Sequence, residues 1–221
     1  RCALKMVGHG GDAEGLADIA REVAVQRHLT ADGSDAFVAL HAHITESVRS
    51  HILMDLCMGV DLEAHVMEQP HGRLTEVDAR PLAARLLDAV AACHAAGVVH
   101  LDIQPRNVLV QDPSRPGLLK LIDYGSSQFI GAQTAAQRHA LGDAESEIAE
   151  AARGRVTERG GAPNYRAPER HEADEAVEDD ADDDEKESGG GQVFFDGVKA
   201  DAYGIGATLF FMLTGRDAFD W

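Results

Sequence analysis

His100-Leu101-Asp102-Ile103-Gln104-Pro105-Arg106-Asn107 decides the reading of this chain. It sets a carboxylate, Asp102, and a carboxamide, Asn107, five positions apart, between a helix-like segment and the apolar run Val108-Leu109-Val110. A carboxylate placed this way can orient an attacking hydroxyl, and a neutral amide oxygen can hold Mg²⁺ beside it. Phosphoryl transfer needs that pairing. Taken alone, the same residues also read as a capping aspartate and a turn asparagine.

Two further signals follow in order: Asp123-Tyr124-Gly125, then Ala167-Pro168-Glu169 after Gly161-Ala162-Pro163-Asn164-Tyr165. Together the three make the chain resemble the eukaryotic protein kinase family, most closely its Ser/Thr branch. The resemblance implies an α+β, two-lobed protein-kinase-like fold, with a small β-rich N-lobe and a helical C-lobe. It places a partial N-lobe at residues 1–57, ending in the hinge, and a partial C-lobe at 58–221, with the activation segment at 123–169. Both lobes are expected to be incomplete. The family's glycine-rich strands precede the stretch matched by Cys2 to Val7, and its last helices follow Trp221.

The totals agree with one sizeable domain. Hydrophobic residues make up 44% of the chain, enough to supply a core. The formal charge of −18 is concentrated locally, since Glu172 to Glu187 hold 11 acidic residues against one lysine. That block, and the Gly189-Gly190-Gly191 run after it, predict a disordered insert over about 171–192, because like charges repel and glycine is costly to order. Nothing resembles a basic nucleic-acid footprint. Cys2, Cys57 and Cys93 form no CxxC pair and read as reduced thiols of an intracellular protein, cytoplasmic or nuclear. No apolar run is long enough to cross a bilayer.

Periodicity places the elements. Cys2 to Val7 reads as a buried strand carrying one lysine. Gly8 to Gly15 follows that lysine instead of preceding it, so it reads as a flexible connection and not as a phosphate loop. An amphipathic helix is expected over Asp18 to Leu29, with Asp12 or Glu14 near its start. Strands are expected over Phe37 to His43 and His51 to Leu56, and a short helix over Leu62 to Met67. A long helix opens at Pro81 and stops at Gly97. Short strands are expected at Val98-Val99, Val108 to Val110 and Leu118 to Ile122. Gly131 to Gly161 has helical stretches but no strong core face. Ala202 to Leu213 is an apolar helix expected to be buried nearly all round.

The resemblance also assigns roles. Lys5 is implied to hold the ATP α- and β-phosphates and Glu22 to pair with it; a buried ammonium needs such a counter-charge. Met54 takes the gatekeeper position, and backbone groups of Asp55 and Cys57 are implied to bond adenine. Ala3 and Leu109 form the ceiling and floor of the adenine slot, and Asp61 faces the ribose. Asp102 orients the substrate hydroxyl, while Asn107 and Asp123 bind Mg²⁺. His100 is expected to pack under the Asp123 turn, and Asp201 to hold the catalytic-loop backbone. Each of these, without the register, is an ordinary core or surface residue.

The pattern also departs from the family. Leu101 replaces the arginine that couples a phosphorylated activation segment to the catalytic loop, so activation is not expected to use that ion pair. Gln104 replaces the lysine that steadies the γ-phosphate, and Ala162 replaces a nearby threonine, which removes positive charge and predicts reduced turnover. Gln26 stands where relatives place an apolar residue, and a bond to the Tyr124 hydroxyl is expected to satisfy it. These features leave three readings. The first is an ATP- and Mg²⁺-dependent protein Ser/Thr kinase acting on a protein substrate. The second is a pseudokinase-like nucleotide-binding or scaffolding domain, and the third a small-molecule kinase, which the Ala-Pro-Glu segment disfavours.

Overall fold

The computed structural model describes residues 1–31, 33–111, 118–131, 143, 145–157, 160–171 and 193–219. The disorder expected of the acidic insert falls on 172–192, outside the described residues.

Strand β1 (Cys2–Gly8), helix α1 (Ala13–Thr30), and strands β2 (Leu40–Thr45) and β3 (Arg49–Asp55) come first. The strands form one antiparallel sheet in the order β1-β3-β2. Strand alternation turns Ala3, Lys5 and Val7 inward and Leu4 and Met6 outward. Helix α1 packs Ile19 and Val23 on Ile52 of β3, with Val7, Leu40 and Met54 around them. The helix starts at Ala13, earlier than the periodicity from Asp18, and Asp12, expected near its start, caps it by accepting the Gly15 N–H at 2.7 Å. Its first turn faces solvent and carries no apolar stripe, so periodicity could not register it. The strand expected from Phe37 begins at Leu40 instead; Phe37 forms an isolated parallel bridge with Leu121.

Then follow β4 (Val60–Asp61), α2 (Leu62–Met67), α3 (Glu76–Ala95), β5 (Val98–Val99), β6 (Val108–Val110), β7 (Leu119–Leu121) and β8 (Gln128–Phe129). After them come α4 (Glu145–Ala151), β9 (Arg155–Thr157), β10 (Phe194–Asp196) and α5 (Gly197–Thr214). Helix α3 corrects the expected start at Pro81. Thr75 caps it, and the Thr75 hydroxyl bonds the Asp78 carboxylate at 2.6 Å. Pro81 therefore lies in the second turn, where its missing N–H leaves the carbonyl of Val77 without a helical partner. Val77 is 82% exposed, so water can take that carbonyl. The β9–β10 pair was not anticipated. Helix α5 is also less enclosed than expected, for Phe210 and Leu213 are exposed while Ala200, Ile205, Phe211 and Met212 are buried.

One large apolar cluster joins the two halves. Val25, Leu29 and Phe37 pack with Leu86, Val90, Leu121 and Tyr124. Backbone bonds reinforce it: Leu121 N–H donates to the Ala36 carbonyl at 2.9 Å, and Lys120 Nζ donates to the carbonyls of Asp35 (2.8 Å) and Phe37 (2.6 Å). The segment after α1 is thus fixed to β7, whose end leads into Asp123.

Candidate active site

A cleft of about 290 Å³ opens between β1, α1, the end of β3 and the start of the Asp123 turn. Its walls include Ala3, Lys5, Glu22, Met54, Asp55, Cys57, Leu109 and Asp123, so eight of the residues singled out in the sequence share one cavity. Asp61 is not among them. Its carboxylate caps α2 by accepting the Ala64 N–H at 2.7 Å, and its strand register sets it opposite Leu109.

Lys5 lies at the centre of the cleft's polar end. Its Nζ donates to Glu22 Oε1 at 2.6 Å and to Asp123 Oδ1 at 2.9 Å. Burial works to lower the Lys5 pKa, but the two carboxylates more than offset it and hold it above its ordinary value. For Glu22, burial dominates and raises the pKa despite the lysine. For Asp123, burial opposes ionisation, yet the Lys5 charge and hydrogen bond and the Gly125 N–H leave the pKa lowered. The ammonium thus ties sheet, helix and turn together, with Asp123 the more firmly ionised of its two partners.

Asp102 and Asn107 stand on the adjoining loop, outside the wall of the cleft. They are joined to Asp123 through the backbone, since Ile122 N–H donates to the Asn107 carbonyl at 2.9 Å. Asn107 Nδ2 donates to Asp102 Oδ2 at 2.7 Å and to the Asp102 carbonyl at 2.9 Å. Gln104 Nε2 lies 3.0 Å from both Asp102 carboxylate oxygens, and Ala162 N–H donates to Oδ1 at 2.8 Å. The position left without a lysine is therefore occupied by a neutral amide that holds the same carboxylate.

His100 is fully buried and packs its ring 5.5 Å from that of Tyr124. Its Nε2 lies 3.1 Å from the Ile122 carbonyl, and its Nδ1 accepts the Asp102 N–H at 3.3 Å. Asp201 of α5 accepts the N–H groups of His100 (2.9 Å) and Leu101 (2.7 Å), and lies 2.8 Å from His94 Nε2. The anchoring has a clear purpose. Leu101 (φ 63°) adopts the left-handed region, which a leucine does not choose unaided, whereas Asp123 (φ 64°) is of a residue type that reaches it more readily.

The expected bond between Gln26 and Tyr124 does not form. Both side chains border the cleft, but Gln26 donates to the Val38 carbonyl at 2.9 Å and Tyr124 to the Leu121 carbonyl at 2.8 Å. Each polar group is satisfied by nearby backbone, so neither needs the other.

Two residues were given no role in the sequence reading. Gly161 has φ 111°, and a β-carbon there would lie 2.9 Å from the Leu101 carbonyl oxygen and 3.3 Å from Asp102 Oδ1. Only glycine lets this segment approach so closely, and the Gly160-Gly161 pair ahead of Ala162 was the available signal. Arg170, immediately after Ala-Pro-Glu, is buried and donates to the carbonyls of Leu101 and Gly160. It ties the segment's end to the loop that carries Asp102; a lone arginine gives no such hint in sequence.

Two hard oxygen donors, the Asn107 side-chain carbonyl and the Asp123 carboxylate, fit Mg²⁺. That ion commonly keeps water and phosphate oxygens for its other positions. Asn107 spends its amide nitrogen on Asp102, so its oxygen is the atom that would face a cation.

Comparison with known proteins shows the family. The family model described as the protein kinase domain matches residues 1–220. CBL-interacting protein kinase 4 of Oryza sativa subsp. japonica is 32% identical over 204 residues, covering 91% of this chain and 35% of that protein. Calcium-dependent protein kinase 22 of the same plant is 37% identical over 122 residues, covering 54% of this chain and 20% of that protein. For calcium-dependent protein kinase 25 of Arabidopsis thaliana the identity is 33% over 117 residues, covering 53% of this chain and 22% of that protein. The chain thus spans about a third or less of the length of these relatives. With the family model running from the strand of Lys5 through the helix of Asp201, the chain belongs to the protein kinase domain family.

Proposed function

We propose that this chain carries the ATP-dependent phosphotransfer centre of a protein serine/threonine kinase, and that a protein hydroxyl is the acceptor. The observation that carries the reading is Lys5 bridging Glu22 and Asp123 inside a cleft next to the Asp102–Asn107 pair. Ala3, Met54 and Leu109 give that cleft the apolar walls a purine needs, with Asp55 and Cys57 at its edge offering backbone groups. Lys5 meets the phosphates, and Glu22 keeps it oriented. Asn107 and Asp123 hold Mg²⁺, which when bound offsets phosphate charge. Asp102 orients the acceptor hydroxyl and takes its proton. Residues 1–57 and 58–221 serve as the two sides of the cleft. Among the described residues no helix is long and apolar enough to cross a membrane.

A second reading, a nucleotide-binding scaffold, has one observation in its favour: the Asp102 carboxylate already accepts from Gln104, Asn107 and Ala162. A substrate hydroxyl has to displace one of these donors.

Transfer from Mg·ATP to a generic basic protein separates the two. The kinase reading expects measurable transfer, falling about 10²–10⁴-fold in Asp102→Asn, with nucleotide binding kept. Binding without transfer in the unsubstituted chain favours the scaffold.

A further inference from the structure

A cavity of about 390 Å³ opens beside Asp102 and has no part in the mechanism above. Gln104 and Ala162, which both donate to the Asp102 carboxylate, stand in its wall. A chain that presents a hydroxyl to Asp102 therefore brings its neighbouring side chains to this cavity. Met67, Pro163 and Phe211 supply apolar surface, and two acidic and two basic residues line the rest: Glu63, Asp217, Arg106 and Arg216.

The formal charges cancel, but their pairing is uneven. Arg106 grips Glu63 through both arms of its fork, Nε to Oε2 at 2.5 Å and Nη2 to Oε1 at 2.9 Å. Asp217 accepts from the Tyr165 hydroxyl at 2.5 Å and from Asn164 Nδ2 at 2.9 Å. Burial and the Asp217 carboxylate hold the Tyr165 pKa well above its ordinary value, so that hydroxyl keeps the proton it donates. Both carboxylates are thus occupied. The Arg216 guanidinium has no ion pair or hydrogen bond among the described residues; only its backbone is held, by the Thr214 hydroxyl.

We propose that this cavity selects acceptor chains with a carboxylate side chain close to the acceptor hydroxyl, Arg216 being its partner and Arg106 denying Glu63 to a basic side chain. The proposal rests on the kinase reading and names its substrate class, an acidic peptide segment. A lysine entering the cavity has to displace Arg106 or Tyr165 from a carboxylate, and it meets Arg216 at like charge. A glutamate meets a guanidinium whose donors are free, and charge-assisted bonds of that kind are the stronger ones. The preference opposes the bulk field. A formal charge of −18 attracts basic chains from a distance, but that attraction is screened beyond about 8 Å at physiological salt.

The test uses the 221-residue chain at physiological salt and three labelled peptides, each with one serine and with glutamate, glutamine or lysine on both sides of it. Binding, read by fluorescence anisotropy, needs no phosphate transfer. The glutamate peptide should bind about fivefold more tightly than the glutamine peptide, and the lysine peptide no more tightly than the glutamine one. Arg216→Gln should bring the glutamate and glutamine peptides within about twofold of each other. Arg106→Gln, which frees Glu63, should tighten the lysine peptide about fivefold. Both arginines are exposed, and an unchanged denaturation midpoint checks that each variant is folded. With Mg·ATP, kcat/KM for the three peptides should follow the order of binding. Equal binding of the three, binding of none, a lysine peptide that binds tightest, or an acidic preference that survives Arg216→Gln overturns the proposal. Binding in the expected order without transfer to any peptide or to the generic basic protein sinks the kinase reading and leaves the selectivity standing. Transfer that favours the lysine peptide does the reverse.

Discussion

At the residue scale, the proposed phosphotransfer makes the balance of charge around Asp102 the quantity to test. In the transition state negative charge moves between phosphate oxygens and the acceptor, and a preorganised donor aimed at it is worth about 10²–10³ in rate. Gln104 is neutral and holds both oxygens of Asp102 at 3.0 Å, so it steadies the carboxylate without offering charge to the phosphate. Gln104→Lys should therefore raise turnover roughly tenfold, recovering part of that contribution. Initial rates with a saturating basic protein substrate measure it. Unchanged or lower turnover, with the variant folded, would show that Gln104 already does what a lysine would do.

At the element scale, α5 acts as the post on which the loop of Asp102 hangs. Asp201 is 1% exposed and accepts two loop N–H groups, one of them from Leu101 in its left-handed conformation. Asp201→Ala would leave those buried donors unsatisfied, at about 1–3 kcal/mol each. A total loss of about 3 kcal/mol is expected, read as a lower denaturation midpoint at unchanged slope; a loss under about 0.5 kcal/mol would mean that the loop holds its shape without the post. Elements of this kind were unevenly legible. β1, β6 and α2 could be read because short apolar runs and glycine breaks bound them. The start of α3 could not, because capping by Thr75 acts on a solvent-facing turn that carries no hydrophobic period; for α1 the period begins late, at Asp18, and only Asp12 marks the start. The β9–β10 pair joins strands 39 positions apart, Arg155 to Phe194, and no local pattern announces such a pairing.

At the scale of the whole molecule, cleft and catalytic loop are one unit because the segment after α1 is bonded to β7 and Asn107 to Ile122. The sequence motifs singled out the polar residues of this unit because phosphate chemistry restricts which side chains can serve. They could not indicate that Asp61 would be spent as a helix cap, or that Gln26 and Tyr124 would each find a backbone carbonyl. Those outcomes depend on neighbours brought in by folding. Lys5, Glu22 and Asp123 meet only if sheet, helix and turn take their places together, so the metal dependence of nucleotide binding reports on the whole arrangement. Calorimetric titration of ATP, with and without Mg²⁺, into the unsubstituted chain and Asp123→Asn is the most direct measurement. The unsubstituted chain should bind ATP at least about tenfold more tightly with Mg²⁺, and Asp123→Asn should lose most of that gain. Equal affinity with and without the metal, or a gain that survives Asp123→Asn intact, would contradict a metal-assisted phosphate site at this cleft.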